Sequence, residues 1–305
     1  MGVKMDKRRI LVGHLACAAT YIIFGINIVT CRDIATEGGL SPMVLFTMRA
    51  LFAGALFWIA SLFVPEKVER GDLLKIAGAG VLGIFLPQLT FLYAITMTTP
   101  VDLSVTNSIT PILTMFAAAV FAKEPITWKK AIGVAVSFGG VIWLILQSVA
   151  MGGGAGATQP MGIFLCIANS TVFALYLATC RPLTEKYLSV TMMKWMFLVA
   201  FILSLPFTLP QLAGTDFGAV TSKVWLEVGF LILFATFVAY FLIPVGQKRI
   251  RPTLVSMYGY LQPIIATTAA IATGMDRLTV TKVAAAAMVF AGVYVVNQSK
   301  ARERG

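Results

Sequence analysis

The chain has 305 residues, of which 58% are hydrophobic and only 12% are charged. A soluble domain of this length carries about twice that share of charge, so the composition excludes an ordinary soluble protein and indicates one that buries its apolar surface in lipid. The net charge of +11 does not indicate nucleic-acid binding, because the basic residues lie in short clusters between apolar runs, where helix ends meet anionic headgroups.

Ten apolar stretches, each of a length suited to crossing a bilayer, follow one another along the chain. They lie near residues 10–30, 43–64, 73–95, 103–121, 129–148, 161–180, 191–211, 225–246, 253–273 and 281–297. The basic cluster before the first stretch resembles the start of a signal peptide, but the stretch is too long for one and lacks a convincing cleavage site. We therefore interpret it as a membrane helix that is retained.

The distribution of basic residues predicts the orientation of these helices. If the N-terminus lies in the cytoplasm, most of the 24 lysines and arginines fall in cytoplasmic segments. The outer segments then hold only Arg32, Lys223, Arg277 and Lys282. Because positive charge concentrates on the cytoplasmic side of membrane proteins, we expect a multi-pass protein of the cell (inner or plasma) membrane with both termini in the cytoplasm.

A pattern of residues recurs 152 positions later in the chain without a slip in register. Its members are Pro100, Ser104, Pro111, Ile112, Thr127, Gly140 and Val141, which correspond to Pro252, Ser256, Pro263, Ile264, Thr279, Gly292 and Val293. The first helices of the two halves also match, at a spacing of 149. A glycine-rich stretch, residues 152–156, predicts a flexible linker between halves 1–150 and 151–305.

Five helices per half is an odd number, so the two halves must cross the membrane in opposite directions. The sequence therefore predicts an all-α integral membrane protein of ten transmembrane helices, arranged as two inverted five-helix repeats. Inverted repeats of this kind give two related conformations, one open to each side of the membrane.

The repeated segments resemble the EamA-domain family of the drug/metabolite transporter superfamily. In the first copy, residues 104–127, a helix of small residues with Pro111 at its centre ends in an acidic residue and a threonine. The second copy, residues 256–279, has Pro263 at the matching place and departs from the family pattern only by Asp276, where glutamate is usual. The resemblance covers nearly the whole chain and implies transport of amino acids, other metabolites or toxic compounds.

Mid-helix prolines and polar residues predict a central binding site, because polar groups in the hydrocarbon layer need a partner, a cavity or a wet pore. A proline frees the carbonyl four residues earlier, here those of Asn107 and Gly259. We expect helices 1, 3, 4, 6, 8 and 9 to surround the site. The predicted substrate-binding residues are Asn27, Gln88, Ser104, Asn107, Pro111, Asn169, Tyr176, Tyr240, Ser256, Tyr260, Gln262 and Pro263. The alternative is a packed interface in which small residues allow close approach of helices.

Two basic residues, Arg49 and Lys194, fall inside predicted helices, each in the second helix of its half. They either contact an anionic group of the substrate at a gate or extend to the lipid headgroups. The acidic residues nearest the membrane are Asp102, Glu124, Glu227 and Asp276, all at helix ends. With no carboxylate near the midplane, we expect facilitated diffusion or exchange rather than transport that uses a buried acid as proton carrier.

Two other patterns in the sequence do not predict a cofactor or metal site. The four cysteines form no CxxC pair and the chain has a single histidine, so their spacing predicts neither a metal centre nor a cofactor. Gly78, Gly80 and Gly83 spell GxGxxG but follow no strand, so we interpret them as helix-packing residues rather than as a nucleotide-binding loop.

We therefore predict a secondary transporter rather than an enzyme, which exports amino acids or related amphipathic compounds. Its expected partners are a small-molecule substrate and the lipid bilayer, with no nucleic acid. An anion exchanger for phosphorylated or nucleotide-linked sugars is the alternative within transport, although it would need more intramembrane cations. A lipid-modifying enzyme would need clustered His, Asp or Glu at one depth, and a receptor or scaffold that carries no solute is the remaining alternative.

Overall fold

A computed structural model describes residues 7–37, 39–122, 128–150, 158–250, 255 and 258–298. All regular secondary structure in these ranges is helical, which confirms the predicted all-α class. The glycine-rich linker, the acidic end of the first repeated segment and the predicted site residue Ser256 lie outside the described residues.

Fourteen α-helices account for most of the described chain. They are α1 Lys7–Glu37, α2 Pro42–Leu62, α3 Arg70–Gly80, α4 Leu86–Met97, α5 Pro100–Asn107, α6 Thr110–Ala122, α7 Trp128–Ala150, α8 Pro160–Thr179, α9 Arg181–Lys186, α10 Ser189–Leu212, α11 Ser222–Phe230, α12 Ala239–Gln247, α13 Leu261–Ala272 and α14 Val280–Gln298. The π-helical segments Val81–Phe85 and Leu231–Val238 join α3 to α4 and α11 to α12, and the 3₁₀ turn Tyr258–Tyr260 precedes α13.

Seven helical stretches of the described chain are long and apolar enough to cross a membrane. They are Arg8–Glu37, Pro42–Leu62, Arg70–Met97, Pro100–Phe121, Pro160–Thr179, Ser189–Leu212 and Ser222–Gln247, and each coincides with a predicted span. Shorter apolar helices, Ala131–Trp143 and Val280–Gly292, lie within the predicted fifth and tenth spans. The predicted ninth, 253–273, is only partly described. The chain is thus a multi-pass helical membrane protein, while the count of ten spans stays a prediction.

Hydroxyl side chains mark the starts of three helices. The hydroxyls of Ser41, Thr99 and Thr221 accept hydrogen bonds from backbone N–H groups three residues later, at 3.2, 3.3 and 3.4 Å. Pro42 and Pro100 follow two of these caps, at the first helical position, where no backbone N–H is needed. Local chemistry therefore sets where α2, α5 and α11 begin.

The predicted span 103–121 is interrupted at its centre. α5 ends at Asn107 and α6 begins at Thr110, with Pro111 as its second residue. The Asn107 carbonyl, which Pro111 cannot satisfy, accepts a hydrogen bond of 2.6 Å from the Thr110 hydroxyl. The sequence predicts one helix over 103–121 with a freed carbonyl at Asn107, and the structure instead divides it into two helices at this point.

Some close helix contacts occur twice, between corresponding positions of the two halves. Gly13 lies against Ile250, and Gly162 lies against Thr98. Gly162 corresponds to Gly13 at a spacing of 149, and Ile250 corresponds to Thr98 at a spacing of 152. The contact between α7 and α14 also occurs twice, between corresponding residues. Gly140 lies against the Ala285 carbonyl, and Gly292 lies against that of Gly133, each pair of corresponding residues being 152 apart.

The three glycines of the GxGxxG pattern face different neighbours. Gly80 lies against the Met196 backbone of α10 and Gly83 against the ring of Tyr176 in α8, whereas a side chain at Gly78 would meet nothing within 4 Å. These contacts agree with a packing role for Gly80 and Gly83.

We expect Gly80→Ala to lower the stability of the protein by about 1–3 kcal/mol, because its Cβ would lie 2.9 Å from the Met196 carbonyl oxygen, which cannot rotate away. Gly78→Ala is the matched control two residues earlier. It should leave stability unchanged or raise it by up to about 1 kcal/mol, since alanine favours the helix. Thermal unfolding of both variants in detergent measures the difference, and equal midpoints would contradict the packing role.

Candidate functional site

A cavity lies where the interrupted helices meet. Its volume is about 630 Å³, including space open to solvent. The residues that line it are Tyr21, Phe24, Asn27, Pro87, Gln88, Phe91, Asn107, Thr110, Asn169, Phe173, Tyr240, Gly259 and Gln262. They come from α1, α4, the α5–α6 break, α8, α12 and the start of α13, which correspond to the helices predicted to surround a site.

Half of the predicted substrate-binding residues line this cavity. They are Asn27, Gln88, Asn107, Asn169, Tyr240 and Gln262. Five of the six carry a carboxamide, a group that both donates and accepts hydrogen bonds, and the sixth is a tyrosine. The structure thus brings together residues that are distant in sequence, and their part in substrate binding stays a prediction.

Three further predicted residues lie beside the cavity without lining it. Pro111 and Pro263 are buried next to the lining residues Thr110 and Gln262 and are not themselves among the residues that line the cavity. Ser104 is also buried, and its hydroxyl donates 2.8 Å to the carbonyl of Val101 within its own helix. Ser104 therefore has no hydroxyl proton left for a substrate.

Two predicted tyrosines point elsewhere. The Tyr176 side chain is 2% exposed and packs against Gly83, so it fills space between α8 and the π-helical segment instead of facing the cavity. The Tyr260 ring packs edge-on against Phe290 of α14, with ring centroids 5.6 Å apart. Neither lies on the cavity surface, since the pattern of the sequence gives the helix but not the direction of each side chain.

Hydrogen bonds hold the polar wall in place. Gln88 donates from Nε2 to the Tyr240 hydroxyl at 2.7 Å, and these two residues occupy corresponding positions 152 apart. Asn169 donates from Nδ2 to the carbonyl of Pro87 at 2.6 Å. The Ser170 hydroxyl donates to Oδ1 of Asn107 at 3.2 Å. The wall is therefore preorganised, with α4 bonded to both α12 and α8.

Sequence reasoning missed the aromatic side of the cavity. The missed aromatic residues are Tyr21, Phe24, Phe91 and Phe173, and the missed polar residue is Thr110. Phe24 contacts Tyr240 in an edge-on arrangement, with ring centroids 5.9 Å apart. Most of these residues lie three or four positions from a predicted polar residue, so a search of the same helix face for rings would have found them.

Arg49 is buried inside the helix bundle rather than extended to the headgroups. Its side chain is 1% exposed, Nε donates to the Thr236 hydroxyl at 2.9 Å and Nη1 to the Cys31 sulfur at 3.7 Å. Lys194 has a different environment, with its ammonium 5.0 and 6.0 Å from the ring centres of Trp58 and Trp195. Neither residue lines the cavity in this conformation.

A cluster of ion pairs lies at the end of the helix bundle where α1 begins. Lys186 pairs with Asp72 at 2.6 Å and with Glu69 at 2.7 Å, and the Tyr187 hydroxyl donates to Asp72 at 2.8 Å. Bonding to the carboxylates of Asp72 and Glu69 raises the pKa of Lys186, which therefore stays charged. The cluster ties α3 to the segment between α9 and α10.

Two more clusters lie at the end where α1 finishes. Lys223 pairs with Asp33 at 2.6 Å and with Glu37 at 2.9 Å, which connects α11 to α1. Lys282 pairs with Asp276 at 2.6 Å and lies 3.8 Å from Asp102, which connects α14 to α5. The chain thus has ionic contacts at both ends of the bundle, with the polar cavity between them.

A polar cavity between interrupted helices of a multi-pass helical protein is typical of membrane transport proteins. Comparison with known families names the group: the EamA-like transporter family matches residues 11–146 and again residues 160–298. The chain belongs to the EamA-like transporter family of the drug/metabolite transporter superfamily, and its family and relatives indicate a transporter, not an enzyme.

Relatives extend over most of the chain. An uncharacterized transporter of Archaeoglobus fulgidus is 24% identical over 84% of this chain and 89% of its own length. The uncharacterized transporter YetK of Bacillus subtilis is 26% identical over 83% of this chain and 77% of its own. A solved crystal structure has the same fold, with a TM-score of 0.66 and 16% identity over 98% of both chains.

Proposed function

We propose that this protein is a secondary transporter that exports a small amphipathic metabolite, such as an amino acid, by alternating access. The cavity of carboxamides and aromatic rings carries this proposal, because such a surface offers hydrogen bonds to polar groups and stacking to an apolar ring. Among the described residues, none of those that line the cavity is acidic or basic, which does not favour the alternative of phosphorylated or nucleotide-linked sugars.

Two inverted halves would provide the two conformations of alternating access, and the recurring contacts support such halves. α1 packs against α12 and α13 as α8 packs against α4 and α6. The reciprocal glycine contacts and the Gln88–Tyr240 hydrogen bond join positions that correspond at a spacing of 149 in the first helix of each half and 152 elsewhere. A two-fold axis in the membrane plane would produce this reciprocity, so we propose that the halves are 1–150 and 151–305, with both termini in the cytoplasm.

The ionic clusters are the proposed gates. Opening toward one side requires the helices at that end to separate, which would break either the Asp72–Lys186 pair or the Lys223–Asp33 pair. Each half contributes one partner to each pair. Breaking one pair while keeping the other gives the two conformations that alternating access requires.

The test begins with a thermal-shift screen of the purified protein against metabolites, since a ligand that binds the native state raises its stability. The ligand found is then followed into liposomes. We expect Asn107→Ala and Gln262→Ala to reduce its flux about tenfold or more, because each loses a hydrogen bond in the cavity. Gln159→Ala, at an exposed position, is the control and should transport normally.

Three results of this experiment would contradict the proposal in different ways. Absence of flux for every ligand found would contradict the transport function. Unchanged flux through the Asn107 and Gln262 variants would contradict the cavity as the site. Uphill accumulation driven by an imposed pH gradient would contradict uncoupled transport or exchange, which we propose because no carboxylate lines the cavity in the part of the chain that the structure describes.

A further inference from the structure

Two carboxyl groups meet at the end of the helix bundle where α1 finishes. The side chains of Asp33 in α1 and Glu227 in α11 are hydrogen-bonded to each other. Two ionised carboxylates repel each other and have no proton to donate, so this bond requires one proton between them. Asp33 is buried and the Glu227 side chain is 19% exposed, so water screens the pair only in part.

The surrounding charges place this proton on Glu227. Lys223 lies 2.6 Å from Asp33 but 4.0 Å from Glu227, and a cation favours the ionised form of the nearer carboxyl. Glu37 also pairs with Lys223, at 2.9 Å, and its charge disfavours a further carboxylate beside it. Oε2 of Glu227 is buried and receives no hydrogen bond within the described residues, as expected of an oxygen that donates.

A buried cation with an unused donor lies close to Glu227. Arg49 of α2 is 1% exposed, and its Nη2 has no hydrogen-bond partner within the described residues. Its Nη1 donates to the Cys31 sulfur at 3.7 Å, and Glu227 acts electrostatically on the same thiol. In the described part of the chain, no ion pair within 4.0 Å joins Arg49 to Glu227. Nη2 is therefore available to Glu227 if that carboxyl becomes ionised.

The charges around Glu227 balance when it is neutral. The titratable and charged groups that face it are Asp33, Glu37 and Cys31 of α1, Arg49 of α2 and Lys223 of α11. The π-helical segment that follows α11 also packs here and has no titratable side chain. The lysine and the arginine offset the aspartate and the first glutamate, so ionisation of Glu227 adds a negative charge that nothing yet pairs.

We propose that Glu227 is a proton switch for the gate at this end of the bundle. Protonated, it donates to Asp33 and holds α11 against α1. When it releases the proton to water at this end, Asp33 repels its carboxylate, which pairs instead with Nη2 of Arg49, and α11 separates from α1. The proton stays on one side of the membrane, so it regulates the gate and does not drive transport. This inference rests on the proposed function, in which the Lys223–Asp33 pair is a gate.

The direction of the pH response follows from the protons bound in each conformation. The closed gate holds one proton between Asp33 and Glu227, whereas separated carboxyls in contact with water hold none at neutral pH. Because the closed conformation binds one proton more, the ratio of closed to open molecules falls by up to about tenfold for each unit by which the pH rises. Acid therefore closes this gate.

Infrared spectroscopy of the purified protein tests for the proton without a substrate. A protonated carboxylic acid has a carbonyl band that a carboxylate lacks, and we expect this band to decrease from acid to alkaline pH. Glu227→Gln should lack the decreasing component. Glu185→Gln, at a side chain that is 52% exposed and lies at the opposite end, is the matched control and should keep it. An identical pH response in wild type and Glu227→Gln would overturn the proposed site of the proton.

Spin labels on α1 and α11 measure the gate itself. Ala35→Cys and Leu226→Cys place the labels at exposed positions, and the four native cysteines are buried and therefore react slowly. We expect the ratio of separated to adjacent labels to rise by up to about tenfold per pH unit. With Glu227→Gln added, the labels should stay adjacent at every pH, because the amide donates to Asp33 without a proton from water. A pH response that persists in this variant would overturn the switch.

Two further variants keep the test decisive if Glu227→Gln does not fold. Asp33→Asn supplies an amide that donates to ionised Glu227, so it should also abolish the pH response. Arg49→Gln removes the partner of the ionised carboxylate, so the pH at which half of the molecules are open should rise by about one unit or more. An unchanged midpoint in Arg49→Gln would overturn the pairing of Glu227 with Arg49.

The outcomes distinguish this inference from the proposed function. Both measurements are made without a substrate, so failure of the switch would leave intact the transport of any ligand that the screen finds. A proton on Glu227 and a pH-dependent separation of the labels, together with absence of flux for every ligand, would contradict transport and leave the switch standing.

Discussion

Replacement of Lys282 by methionine is expected to destabilise the protein by about 3–5 kcal/mol, the loss that follows when one partner of a buried ion pair is removed. The Lys282 side chain is 13% exposed, and its partners Asp102 and Asp276 are 8% and 7% exposed. Among the described residues, no other cation lies within 4.0 Å of these two carboxylates. Methionine is unbranched like lysine and only one heavy atom shorter, so the change mainly removes the charged ammonium group.

Lys75→Met is the control for the loss of a cation beside a buried carboxylate. Lys75 is 67% exposed, and its partner Asp72 keeps both Lys186 and the Tyr187 hydroxyl. We expect a loss below about 1 kcal/mol, as for exposed ion pairs. Thermal unfolding in detergent measures both variants. Adding Asp276→Asn to Lys282→Met should recover part of the stability. An equal loss of stability in Lys75→Met and Lys282→Met would contradict the buried network.

Insertion of a methyl group between α7 and α14 is the second change with a large expected effect. In Gly292→Ala, the new Cβ would collide with the Gly133 carbonyl and the Ser137 backbone, and neither can rotate away. In Gly140→Ala, it would lie 2.8 Å from the Ala285 carbonyl oxygen. We expect each variant to lose about 1–3 kcal/mol or more, with the helices forced apart.

The two substitutions also test the inverted repeat, because Gly140 and Gly292 are corresponding residues. If a two-fold axis relates α7 to α14, both variants should be destabilised to a similar degree. Gly139→Ala is the control, since its Cβ would meet only the flexible end of Met288, at 3.2 Å. Thermal unfolding of the three variants measures their stability. A loss of stability in Gly139→Ala as large as that in Gly140→Ala would contradict the packing argument.

Much of the candidate site follows from local rules that the sequence displays. Pro111 lacks a backbone N–H, so the freed carbonyl of Asn107 is visible in the sequence, although the division of the predicted span into α5 and α6 at this point is not. Polar residues within apolar runs are costly in lipid, so Asn27 and Gln88 also stand out as candidates, and both line the cavity.

Other side chains could not be placed by those rules. Ser104 and Tyr176 lie in the predicted helices, but hydrogen bonding within α5 and packing against Gly83 direct them away from the cavity. The sequence around Arg49 does not distinguish a side chain that extends to the headgroups from one that neighbouring helices enclose. Only the packing of α2 against the π-helical segment that contains Thr236 decides that it is enclosed.

The sequence by itself determined that this chain is helical, apolar and duplicated, because hydrophobic length, basic clusters and repeated prolines are properties of the chain in its linear order. The tertiary structure alone decided which polar groups share one cavity and which buried atoms have no partner within the described residues, Nη2 of Arg49 and Oε1 of Gln88 among them. The reason is physical: the direction of a side chain and its partners depend on how helices distant in sequence pack together, and helical periodicity does not encode that packing.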